Sequence, residues 1–187
     1  MIERDIDRLL LVCVKARYDR EALDEAKRIV RDGQVNWERF LQHAAKHAVA
    51  PLVHDTLRHD SSILPTWVTE ELRTTYYQTA AQNALRFQEL AGIVQAFNEA
   101  GIPVIVLKGA AMAQGTYRNL ALRPMSDLDL LVMSELMLRA EELLTQRGYT
   151  ARRYSIRRPW LAPVYYTRMP GAAVVQGIRA LRRPYGQ

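Results

Sequence analysis

The stretch IPVIVLKGAAMAQGTYRNLALRPMSDLDLLV, residues 102–132, constrains the fold more than any other part of the chain. It reads as a short apolar strand from Ile102 to Leu107 that runs into Lys108 and Gly109. A small-residue helical segment follows to about Gly115, then a polar loop from Tyr117 to Met125, then a second strand that carries Asp127 and Asp129 and ends near Val132. Side chains alternate along a strand, so both aspartates share one face and Leu128 and Leu130 share the other, which is core. The first strand is apolar without alternation, which predicts burial on both faces, and Pro103 is tolerated because it stands at the strand's beginning.

Taken singly, these features are ordinary. A Lys-Gly pair is a common strand-to-helix turn, and alternating Asp and Leu is a common solvated strand edge. Together they differ, because two carboxylates gathered on one face without an interleaved base repel each other unless a cation binds them. A helix start offers free backbone N–H groups to a phosphate, glycine allows close approach, and lysine adds a point charge. Asp127 and Asp129 are therefore the candidate catalytic and metal-holding residues, in an open cleft with Mg²⁺ or Mn²⁺. Lys108, Gly109, Arg123 and Ser126 are the candidates for holding a nucleoside triphosphate such as ATP.

The first hundred residues read as helical. Ile2, Ile6, Leu9, Leu10 and Cys13 fall at helical spacing, Asp19 suits the cap of a second helix with the stripe Leu23, Ala26, Ile29 and Val30, and Gly33 suits its end. A third helix follows Asn36 with Trp37, Phe40, Leu41 and Ala44 on one face, and Pro51 marks its end or a kink. After Asp60, Ser61 and Ser62, a helix starts at Pro65 and Thr66 and leads towards the periodic Phe87, Leu90, Val94 and Phe97, with Gly101 as the stop. Beyond the second strand, Ser134 is placed to cap a helix through Ala140 and Leu144 that Gly148 terminates. His43 and His47 have the i, i+4 spacing of two metal ligands, but the glutamate of a HExxH zinc signature is missing and the simpler reading is a helix surface.

Charge is unevenly distributed. The formal net charge is +6, yet residues 151–187 hold eight of the 26 basic residues, all arginine, and no acid. The remaining 18 basic residues face all 20 acidic ones, so residues 1–150 have a net charge of −2 and any nucleic-acid binding rests on the Arg-rich tail alone. No run approaches the roughly 20 apolar residues of a membrane span, and the charged start IERDIDR is unlike a secretory signal. The expectation is a cytoplasmic protein with no membrane partner, in which the single Cys13 is a core residue.

The segment LKGAAMAQGTYRNLALRPMSDLDLLV resembles an uncharacterised bacterial nucleotidyltransferase family of the DNA polymerase beta superfamily, over roughly residues 35–150. The resemblance implies an α/β (α+β) fold. It divides the chain into a helical region, 1–100, a nucleotidyltransferase core, 101–150, whose sheet is flanked by helices and incomplete at the C-terminus, and an Arg/Pro-rich tail, 151–187. It implies metal-dependent transfer of a nucleoside monophosphate from an NTP to a hydroxyl of a protein, RNA or small molecule, with Asp127 and Asp129 as the paired metal-binding acids and Gly109 as the glycine of a Gly-Ser turn. Ala110 stands where many relatives have serine. A third carboxylate, which active members take from a later strand, has no counterpart, because no Asp or Glu follows Glu142. The alternative is therefore a catalytically deficient nucleotide-binding or helical interaction protein, a truncated member of the family. The tail reads as an RNA-binding arm, a disordered extension or out-of-frame sequence, and the last best matches its Arg, Pro, Ala and Gly content.

Overall fold

The computed structural model describes residues 3–60, 63–149 and 172–175. Ile2, the Ser61–Ser62 pair and the tail apart from 172–175 lie outside the described residues, and so do the three readings of that tail. The fold is α/β, with seven α-helices and a three-stranded antiparallel sheet of order β1-β2-β3 among the described residues. The chain divides into two compact units, residues 1–84 with 117–124, and residues 85–116 with 125–187.

The first unit is built on α1 (Glu3–Lys15), α2 (Arg20–Asp32), α3 (Trp37–Lys46), α4 (Ala50–Leu57) and the beginning of α5 (Thr66–Glu99). The predicted stripes are what it buries: Ile6, Leu9, Leu10 and Cys13 from α1, Ala26 from α2, and Phe40 and Ala44 from α3 form one core with Val53, Leu57, Val68 and Leu72. Burial pushes the Cys13 thiol up to about 12, so it is a neutral core group. Asp19 caps α2 by accepting from the Glu21 N–H at 2.9 Å, and Asn36 caps α3 by accepting from Arg39 N–H at 3.0 Å. Pro51 does not end α3. The chain turns at Ala48, whose φ is +56, and α4 begins at Ala50 with Pro51 in its first turn, where a missing N–H breaks no helical bond.

The second unit packs the end of α5 and α7 (Met137–Gln146) against the sheet. Leu90 and Phe97 of α5, Ala140 and Leu144 of α7, and Leu128, Leu130 and Val132 at β2 share its core, with Phe87 and Val94 packed at the margin. Gly101, at φ +67, ends α5 as predicted: its N–H bonds Asn98 O at 3.0 Å and Ile102 N–H bonds Phe97 O at 2.8 Å. Gly148, at φ +90, ends α7 by the same pattern. Ser134 does not cap α7; it lies in a 3₁₀ turn, Ser134–Leu136, with its hydroxyl directed to Glu135 at 3.0 Å.

Strand β1 (Val104–Leu107) pairs with β2 (Asp129–Met133), and β2 pairs with β3 (Ala172–Val175). The expectation that β1 is buried on both faces fails. Among the described residues it is an edge strand with one face to the core, and Ile105 on the other face is 60 % exposed. An apolar run of four residues holds no information about how many faces will be covered.

Candidate functional site

Register creates the site. Leu107, the last residue of β1, lies opposite Asp129, the first of β2. Whatever follows β1 must therefore emerge beside whatever begins β2. The residue that follows is Lys108, which turns the backbone through a left-handed φ of +47 into α6 (Lys108–Met112). Its Nζ donates to Asp129 Oδ1 at 3.1 Å. Such a φ is uncommon for a residue with a Cβ and costs about 1–2 kcal/mol, so the packing around it must hold it there.

The two aspartates occupy different settings. Asp129 is 5 % exposed, on the face of β2 opposite Leu130 and Val132. Asp127 precedes the strand by two residues, is half-buried, and accepts from the exposed Ser126 hydroxyl at 3.2 Å. The expectation that one strand carries both aspartates on a shared face is therefore corrected: one carboxylate is buried at the start of β2 and already partnered by an ammonium group, and the other, more accessible, precedes the strand. Buried Leu128 separates them in sequence. Among the described residues, no further His, Cys, Asp or Glu joins these two in a cluster of three potential ligand atoms. Strand β3, the neighbour of β2, has the sequence AAVV and carries no acid.

Gly109 serves packing. A Cβ there would meet Met125 Cγ at 3.1 Å and Sδ at 3.3 Å, so the missing side chain leaves room for a buried methionine. The helix that Gly109 belongs to is five residues long and passes into a π-helical turn, Ala113–Tyr117. So short a helix has a weak dipole, and the fixed positive group at this turn is the Lys108 ammonium.

Arg123 belongs to the other unit from Lys108, Gly109, Ser126, Asp127 and Asp129. Its carbonyl accepts from Asn83 Nδ2 at 2.7 Å and its Nε is buried without a hydrogen-bond partner among the described residues. Sequence proximity alone had suggested it for phosphate binding. The residues that sequence reasoning missed are Asn83 and Asn119, which hold the loop over 117–124 in place. Asn83 donates also to Leu120 O at 2.6 Å, while Asn119 donates to Tyr76 OH at 2.9 Å and accepts from Ala121 N–H. A lone Asn on a helical stripe gives no sequence signal, because its partners are backbone carbonyls some 40 residues away.

A family model described as an uncharacterised nucleotidyltransferase matches residues 33–175. The chain belongs to that nucleotidyltransferase family. The matched segment takes in α3, the Lys108 turn, both aspartates and all three strands, and so reaches past residue 150, where the visible resemblance had stopped. No curated protein and no solved structure matches the chain. Among the described residues, no helix is long and apolar enough to cross a membrane.

Proposed function

We propose that this nucleotidyltransferase family member moves a nucleoside monophosphate from an NTP to a hydroxyl acceptor, with a divalent cation held by Asp127 and Asp129. The observation that carries the reading is the Lys108–Asp129 pair at the junction of β1 and β2: a carboxylate, buried and already holding a cation, beside a lysine whose own side chain is 59 % exposed. The donor set fits Mg²⁺ or Mn²⁺, which commonly take one or two carboxylates from the protein and the rest of their oxygens from water and substrate phosphates. When bound, the ion supplies charge neutralisation at the phosphate oxygens and polarises the acceptor oxygen. Asp129 is held rigidly by the strand and its ladder, Asp127 supplies the more accessible oxygens, and Lys108 exchanges its carboxylate partner for the triphosphate. Ser126 keeps Asp127 oriented, and Gly109 lets Met125 pack beneath the turn. In the transfer, the acceptor oxygen forms a bond to the α-phosphorus, the bond from that phosphorus to the pyrophosphate oxygen breaks, and the hydroxyl proton passes to solvent.

One observation favours a second reading, nucleotide binding without turnover. No acid follows Glu142, and the strand beside β2 is apolar throughout. Calorimetry with a non-hydrolysable NTP, with and without chelator, tests the common part: binding that needs Mg²⁺ or Mn²⁺ is expected, and equal affinity in both conditions would remove the metal-site reading. Transfer from an α-phosphate-labelled NTP then separates the two, since Mg-dependent binding with no label released or transferred leaves only the binding protein.

A further inference from the structure

We infer a second metal site, a zinc clamp made by Asp7 of α1, by His43 of α3 and by His47, which caps the C-terminus of α3. All three residues lie in the helical unit, so the inference stands apart from nucleotidyl transfer. The i, i+4 spacing brings the C-cap His47 to the same side of α3 as His43, and their rings are tilted at 57° with centroids 6.2 Å apart. What the spacing could not provide is the third ligand. The packing of α1 on α3 brings Asp7 to that face, with its Oδ1 2.8 Å from His43 Nδ1. One ligand atom from each residue, a carboxylate oxygen and two ring nitrogens, falls within 4.8 Å of the other two. Tetrahedral zinc with its usual bond lengths sets such atoms about 3.3 Å apart, which side-chain rotation alone can reach.

The helices beneath are held by the core. Leu9 and Leu10 on α1 flank the level of Asp7, and Phe40 and Ala44 on α3 flank His43; all four are buried in one cluster. The donor atoms are thus gathered before any ion arrives, which lowers the ordering cost of binding. Two imidazoles and one carboxylate suit Zn²⁺ better than Mg²⁺, which prefers an all-oxygen shell. A metal at His43 Nδ1 takes the neutral imidazole with its one proton on Nε2 and replaces the Asp7–His43 hydrogen bond by a shared ion. Three protein ligands leave one position for water. The residues between the histidines are Ala44, Ala45 and Lys46, so no carboxylate base stands in the HExxH position, and the site ties α1 to α3 rather than activating that water.

The test is calorimetry of the full chain with ZnCl₂ alone, paired with Co²⁺ absorption as a report of coordination geometry. Wild type is expected to take one Zn²⁺, and His47→Ala and Asp7→Asn are each expected to weaken it by about tenfold or more. Zinc should raise the melting temperature of wild type and not that of His43→Ala/His47→Ala. Circular dichroism of each variant without metal keeps loss of fold apart from loss of a ligand. Absence of zinc uptake by folded wild type, or equal uptake by the folded double variant, overturns the site, and neither result bears on Mg-dependent NTP binding.

Discussion

Lys108 combines a left-handed backbone with an ammonium group bound to a buried carboxylate, and the pair is unequal. The Asp129 side chain is 6 % exposed and that of Lys108 is 59 %, so water reaches one end and screens the attraction. Breaking a fully buried pair leaves a stranded charge and costs about 3–5 kcal/mol; here Lys108→Met is expected to cost about 1–2 kcal/mol, because solvent partly replaces the lost partner. Asp129→Asn keeps the shape and loses only the charge, so a cost of about 1 kcal/mol is expected. The two changes should be less than additive, since the second removes the charge that the first left unpaired. Urea denaturation of both single variants and the double variant measures this; strict additivity would mean that the pair contributes nothing in solution. The residue types of this site were legible from the chain because chemistry selects types. Their burial was not, because it depends on the strand register that sets Asp129 against Leu107.

At the scale of elements, α5 is one helix of 34 residues whose first part lies in one unit and whose last part lies in the other. Its ends were readable from Thr66 and Gly101, since caps and left-handed stops are local chemistry. Its hold on the loop over 117–124 was not. Asn83, 1 % exposed, donates from one amide nitrogen to two carbonyls, Leu120 O and Arg123 O. Asn83→Ala removes both bonds and leaves two carbonyls short of a donor, so a loss of about 2–3 kcal/mol is expected in chemical denaturation. Hydrogen exchange should quicken in residues 117–124 before it does in the helices, because the amide pins that loop and not the core. A stability equal to wild type with unchanged exchange would show that the loop is held by something else. The misreadings at this scale share a cause. Pro51 and Ser134 were each assigned from a residue preference, and preferences say that a boundary is near without saying on which side of it the residue falls.

For the whole molecule, the sheet depends on a strand that sequence patterning did not reveal. β3 pairs with β2 along Leu130 to Met133, next to Asp129. Ending the chain at Thr150 removes β3 and leaves β2 with an unpaired edge, so a lower melting temperature and a greater tendency to associate are expected. Thermal scanning with light scattering checks both, and a truncated chain as stable and monodisperse as the full one would show that β3 contributes nothing to the sheet. By itself the sequence determined the helical character of the first hundred residues, the α/β class, the two core stripes and the Lys-Gly and Asp-Leu-Asp motifs. Those follow from periodicity and local chemistry, which act over a few residues. Only the tertiary structure decided that Asp129 is buried against Lys108, that β1 is an edge among the described residues, that Asn83 holds a distant loop and that Asp7 joins His43 and His47. Each of these depends on which segments pack together, and packing is decided by the shapes of whole buried faces rather than by the residues on either side of a position.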